Sequence, residues 1–128
     1  MKFQTTFEIG DWSHDGHCIS EDVVVKHNKT YNCIRDHYRM AQKEHGIDFE
    51  TLCEDYDDST IKFGDLEKLV ELGIISQDEV EDDEYWVQGA KDFVRLYLEY
   101  TKTYLNTLEY KFVDVHKVHL GGYGLFRT

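Results

Sequence analysis

Histidines and aspartates are concentrated near the start of the chain, and more histidines follow near its end. Residues 9–22, "IGDWSHDGHCISED", contain three aspartates and two histidines, and residues 116–119, "HKVH", contain two further histidines. Imidazole and carboxylate groups are common ligands of zinc and related metals. If both segments belong to one sheet, they predict a divalent metal site that could also support catalysis. The candidate ligands are Asp11, His14, Asp15, His17, His116 and His119.

The spacing of the second histidine pair sets a condition on this site. Residues three apart in a strand point to opposite faces. His116 and His119 can therefore share one metal ion only if the chain has turned by Leu120. The alternative is a solvated loop in which the aspartates form hydrogen bonds within a turn at Gly16.

Acidic residues are segregated into two short stretches. Residues 48–58, the first acidic block, and residues 76–84, the acidic segment, each hold six acids and no lysine or arginine. They account for the whole net charge of -12, because the rest of the chain has fourteen acids and fourteen bases. Clustered carboxylates repel one another but attract basic partners and repel nucleic-acid phosphates. The candidate partner-binding residues are Asp55, Asp57, Asp58, Glu81, Asp82 and Asp83.

Basic residues recur along one predicted helix. Arg35, Arg39 and Lys43 follow one another at four-residue spacing, and further basic residues precede the helix. Cations beside a helix amino terminus can bind a phosphate or carboxylate, which would suit a small anionic ligand such as a nucleotide. The candidate residues are Lys26, His27, Arg35 and Arg39. The alternative is a solvent-exposed face that pairs with the acidic stretches.

The periodicity of apolar residues predicts one compact α+β domain over residues 1–128. Its small antiparallel sheet has two amino-terminal strands and one carboxyl-terminal strand, packed against three helices. Predicted strands are 3–9, 21–27 and 109–120, and predicted helices are 29–45, 65–72 and 82–108. Predicted boundary residues are the N-cap Asn28, the helix-ending Gly46 and Gly73 with Ile74, and a capping box of Ser76 and Glu79.

The last predicted helix is long and carries tyrosines around much of its circumference. Some twenty-five residues would form a rod of roughly 35 Å, which exceeds what a domain of this size needs to cover its sheet. Tyrosines at positions 85, 97, 100 and 104 suggest that another subunit covers part of it. We therefore expect a homodimer.

The remaining composition narrows the class of protein. Three cysteines without a CxxC pair favour a reducing compartment, so a cytoplasmic location is predicted, and no apolar run suggests a membrane span. No P-loop, dinucleotide fingerprint, nucleophile elbow or HExxH motif occurs. We interpret the chain as an acidic binding protein rather than an enzyme, a protein that would inhibit a nucleic-acid-binding partner by imitating DNA. The alternatives are a metal-dependent enzyme and a binder of a small anion.

Overall fold

The computed structural model describes residues 1–11, 19–49, 60–62, 65–87 and 89–119. Within them the predicted α+β fold is confirmed, with a three-stranded antiparallel sheet in the order β1-β2-β5 and a separate two-stranded sheet of β3 and β4. The strands are β1 (Phe3–Asp11), β2 (Ile19–His27), β3 (Thr60–Lys62), β4 (Glu84–Trp86) and β5 (Tyr110–His119). The helices are α1 (Tyr31–His45), α2 (Asp65–Glu71) and α3 (Gly89–Lys102), with a short 3-10 helix at Gln77–Glu79.

One face of the three-stranded sheet is buried against the helices. Thr5 and Phe7 of β1 lie opposite Val25 and Val23 of β2, and all four are at most 1% exposed. The alternation of apolar residues therefore predicts the buried face of β1 correctly. Glu8 is the exception, because alternation assigns it to the polar side, yet it is only 6% exposed.

The alternation predicted for β5 is interrupted by a β-bulge. Val25 pairs with Phe112, whereas the preceding Val24 pairs with Asp114, so Val113 is an extra residue with no partner in β2. Strict alternation along the predicted strand 109–120 would place Phe112 and Asp114 on one side of it. That prediction is wrong, because an extra residue shifts the alternation by one position.

Aromatic rings fill the space between the helices and the sheet. Tyr97 is 1% exposed, and its ring centroid lies 4.6 Å from that of Tyr38, 5.9 Å from that of Phe7 and 6.2 Å from that of Phe49. The hydroxyl of Tyr100 donates a 3.0 Å hydrogen bond to the backbone oxygen of Ala41. One cluster therefore joins α1, α3 and β1.

Helix α1 begins later than predicted. Thr30 is its N-cap, and its hydroxyl accepts a 3.2 Å hydrogen bond from the backbone N–H of Cys33. Asn28 instead donates to the backbone oxygen of Thr107 and accepts from the backbone N–H of Glu109. Both Asn and Thr are good N-caps, but Asn28 follows β2 directly and is held by the segment that leads into β5.

The predicted ends of α1 and α2 are confirmed. Gly46 has a φ of 80° and Gly73 a φ of 78°, values that favour glycine. After α2, the backbone N–H of Ile74 donates to the carbonyl of Leu69, and that of Gly73 donates to the carbonyl of Val70. This is the Schellman arrangement, accompanied by burial of Ile74.

The helix predicted over residues 82–108 is wrong in its extent. Residues 84–86 form β4, and α3 covers only 14 residues, or roughly 21 Å. β4 pairs with β3, a partner distant in sequence that helical periodicity cannot reveal. Tyr97 and Tyr100 are buried within the chain itself, so their aromatic surface needs no second subunit to cover it. In the described part of the chain, no helix has the length and apolarity to cross a membrane.

Candidate functional site

The acidic segment is held in shape by local hydrogen bonds. The predicted capping box is confirmed: the hydroxyl of Ser76 accepts from the backbone of Asp78, and a carboxylate oxygen of Glu79 accepts a 3.1 Å hydrogen bond from the backbone N–H of Ser76. Glu81 and Glu84 then exchange two backbone hydrogen bonds of 2.9 Å. These contacts fix the backbone from which the carboxylates project.

Asp82 and Asp83 form the turn between Glu81 and Glu84. Their φ angles are 51° and 60°, so both residues occupy the left-handed region. A two-residue turn with positive φ at both positions strongly favours Asn-Gly, because glycine adopts this region without strain and aspartate tolerates it less well. Two aspartates at these positions add like-charge repulsion to that strain. The two aspartates of this turn therefore lower the stability of the folded protein.

A half-open pocket lies beside this turn. It has a volume of about 470 Å³ and is lined, among the described residues, by Glu79, Glu81, Tyr85 and Trp86. The side chain of Trp86 is 54% exposed, whereas Tyr85 is 4% exposed. We call this cavity the acidic pocket. Its size falls within the range of ligand-binding pockets, and it combines carboxylates with an accessible indole.

Tyr85, the buried residue that lines the acidic pocket, is bound by a side chain of helix α3. The hydroxyl of Tyr85 donates a 2.6 Å hydrogen bond to Asp92, whose other carboxylate oxygen lies 2.7 Å from a guanidinium nitrogen of Arg95. Burial and the adjacent Asp92 carboxylate raise the pKa of Tyr85 well above its ordinary value. The phenol therefore stays neutral at physiological pH, and Arg95 balances the charge of Asp92.

Within the described part of the chain, no cation balances the carboxylates of the acidic segment in this way. None of its six acids forms an ion pair with a residue that the structure describes, whereas ion pairs do form elsewhere, as between Lys68 and Glu71. Five of the six are exposed and Glu84 is half-buried. This surface therefore carries a concentrated negative potential that can attract cations.

The two-stranded sheet contains the strand that follows the first acidic block in sequence. Asp55, Asp57 and Asp58 of the first acidic block lie outside the described residues. The block ends at residue 58, two residues before β3, and β3 begins at Thr60, which pairs with Trp86 of β4. The strand that follows the first block in sequence therefore pairs with the strand that carries Tyr85 and Trp86.

The predicted metal ligands are only partly described. His14, Asp15 and His17 lie outside the described residues, as does Leu120, where the chain would have to turn. Asp11 and His119 both pair in register with Ile19, from either side of β2. Asp11 and His119 are therefore at the same level of the sheet, separated by one strand. Where side chains are described, no three potential metal ligands are grouped together.

The sequence prediction missed Glu8, which lies in one row across the sheet with Asp22 and the predicted ligand His116. Glu8 pairs with Asp22, and Asp22 pairs on its other side with His116. Glu8 is 6% exposed, and one carboxylate oxygen of Asp22 is buried without a hydrogen bond from the described residues. Only strand register reveals this row, because the three residues are distant in sequence.

The residues predicted to bind a small anion differ in their exposure. His27 is fully buried: its Nδ1–H donates to the carbonyl of Lys29, and its Nε2 accepts from the hydroxyl of Thr5. Lys26 and Arg39 are exposed, and Arg35 is half-buried. Both ring nitrogens of His27 are therefore used within the protein, and the imidazole has no N–H to offer a ligand.

Comparison of the chain with protein-family models, curated proteins and solved structures finds no match. The chemistry of the described residues is therefore the basis for inferring function.

Proposed function

We propose that the protein is a small acidic binding protein that engages a basic protein partner through the acidic segment and the first acidic block. The observation that carries this proposal is the row of six carboxylates in the acidic segment with no counter-ion among the described residues. A basic partner would supply those counter-ions. A partner that uses the same basic surface to bind nucleic acid would thereby be inhibited.

The turn between Glu81 and Glu84 supports this proposal. Strained backbone and clustered like charge are features that proteins retain at functional sites. Asn-Gly would suit the turn better than the Asp82-Asp83 dipeptide that is present. Two charged residues that lower the stability of the turn are consistent with selection for binding.

We expect the combined substitutions Glu81→Gln, Asp82→Asn and Asp83→Gly to weaken binding of a synthetic peptide of alternating lysine and arginine about tenfold or more. Each removed charge contributes up to about 1 kcal/mol to such an exposed contact. Isothermal titration calorimetry at low and at physiological ionic strength would measure this. Binding to the unaltered protein should weaken as salt increases, because mobile ions screen exposed charges.

A control variant distinguishes the effect of where the charges lie from the effect of net charge alone. Asp36→Asn, Glu44→Gln and Glu109→Gln remove the same number of exposed charges from outside both acidic stretches, and this variant should keep most of the affinity. Because Asn-Gly suits the turn, the first variant should unfold at the same urea concentration as the unaltered protein, or at a higher one. Equal peptide affinity in both variants would exclude the proposal.

A divalent metal site is a second candidate, favoured by the row of Glu8, Asp22 and His116. Carboxylates directly opposite each other on neighbouring strands repel, and burial strengthens that repulsion. A divalent cation would offset it, and a carboxylate-rich set with one imidazole suits manganese, iron or zinc. His116 enters this set by its register with Asp22.

The metal site predicts that protein purified without a metal-affinity tag contains about one equivalent of divalent metal, or shows a higher melting temperature when manganese or zinc is added. Asp22→Asn should abolish either effect. Glu21→Gln is the matched control, because neighbouring positions of a strand face opposite sides. Absence of metal together with no thermal shift would rule this candidate out.

A further inference from the structure

The acidic pocket has a more specific chemistry than the acidic segment as a whole. Its described lining combines the carboxylates of Glu79 and Glu81 with the indole of Trp86, which is 54% exposed. Carboxylates disfavour an anionic occupant. The face of an indole attracts a cation and also provides apolar contact area. The lining therefore fits a cationic group that has a flat or apolar surface.

We propose that the acidic pocket receives the side chain of an arginine of the basic partner, an inference that rests on the proposed function. A planar guanidinium can stack on the indole of Trp86 while donating two parallel hydrogen bonds to a carboxylate. A lysine ammonium is compact and strongly hydrated, so it cannot stack and gives up its water less readily. The volume of about 470 Å³ holds the whole side chain and adjoining backbone atoms.

Part of the pocket lining is held in position before any ligand arrives. Glu79 is held by its hydrogen bond from Ser76, and the backbone of Glu81 by its hydrogen bonds with Glu84. Tyr85 is fixed by Asp92 of α3. Preformed lining reduces the entropy lost on binding. The surrounding carboxylates at Asp82, Asp83 and Glu84 favour an arginine carried by a larger basic surface over an isolated small molecule.

The test compares two peptides of equal length and charge, one with arginine as its only basic residue and one with lysine. Calorimetric titration of the unaltered protein should give about tenfold tighter binding for the arginine peptide, which combines cation–π stacking with bidentate hydrogen bonds. Trp86→Leu should abolish this preference while leaving binding of the lysine peptide within about threefold. Trp86→Phe, which keeps an aromatic face, should retain part of the preference.

Carboxylate variants distinguish the pocket from its surroundings. Glu79→Gln removes a pocket charge but keeps the capping box, because glutamine can replace glutamate there; it should reduce the preference for arginine. Asp82→Asn with Asp83→Gly should weaken both peptides by similar factors and leave the preference intact. Circular dichroism and urea unfolding would verify that each variant is folded.

The outcomes separate the two proposals. Equal affinity for the two peptides, unaffected by Trp86→Leu, would overturn the arginine assignment while the proposed function stands. If neither peptide binds, both proposals fail. Tight binding of free arginine, equal to that of the arginine peptide, would show a small-molecule site and would overturn the assignment to a partner's side chain.

Discussion

Tyr97→Ala is expected to lower the free energy of unfolding by about 3–5 kcal/mol, the usual cost of removing a large aromatic side chain from a packed core. The ring of Tyr97 contacts aromatic residues of α1 and β1 and is 1% exposed. Its removal leaves a cavity at the centre of the aromatic cluster and deletes the ring contacts that join the helices to the sheet. Since domains of this size are stable by about 5–15 kcal/mol, a large part of the folding free energy would be lost.

Urea unfolding followed by circular dichroism measures this loss, and two variants calibrate it. Tyr97→Phe keeps the ring and should cost about 1 kcal/mol. Tyr104→Ala removes an aromatic side chain that is 36% exposed, and it should cost much less than Tyr97→Ala. If the Tyr97→Ala and Tyr104→Ala variants were equally stable, the position of Tyr97 at the centre of the core would be wrong.

His27 is expected to make the protein less stable in mild acid. Burial lowers the pKa of its imidazole below the usual 6.5, and this effect exceeds the opposing effect of the hydrogen bond to the Lys29 carbonyl. The unfolded chain therefore binds a proton at a higher pH than the folded chain does. The stability contributed by neutral His27 is complete above about pH 6.5 and declines as the pH falls through and below that value.

Measurement of the free energy of unfolding between neutral pH and pH 5 tests this expectation. His27→Phe keeps a ring beside Phe3, whose ring stacks on the imidazole, but it removes the titrating group. This variant should be about 2–4 kcal/mol less stable at neutral pH, because the Thr5 hydroxyl loses its acceptor and the packing changes. It should also lose the His27 part of the acid dependence. An imidazole titration midpoint for His27 at or above 6.5, measured by NMR, would contradict the assignment.

The sequence predicted those parts of the fold that depend on local chemistry. Alternating apolar residues identified β1, and three consecutive valines identified β2. Gly46 and Gly73 marked helix ends, because positive φ favours glycine at such ends. The capping box of Ser76 and Glu79 was predictable for the same reason, since its hydrogen bonds join residues three apart. Each of these signals is contained within a few neighbouring residues.

Non-local pairing explains what was missed. Trp86 matched the periodicity of a helix, but pairing of β4 with β3 placed it at the rim of the acidic pocket instead. The sequence therefore predicted that the candidate site is acidic, but it did not predict the pocket. Glu8 was similarly assigned to the solvent side of its strand, and its alignment with Asp22 depends on strand register. Periodicity cannot report either relation.

The β-bulge at Val113 bears on how the protein resists aggregation. Among the described strands, β5 lies at an edge of the sheet, and Val113 and Val115 are 49% and 39% exposed. A regular strand in this position would offer a template to another chain. The bulge interrupts the regular spacing of backbone groups and increases the local twist, while Lys111 and Asp114 add exposed charges beside the valines. A regular incoming strand would match this irregular spacing poorly. We therefore expect the edge of the sheet to tolerate high protein concentration despite its exposed valines.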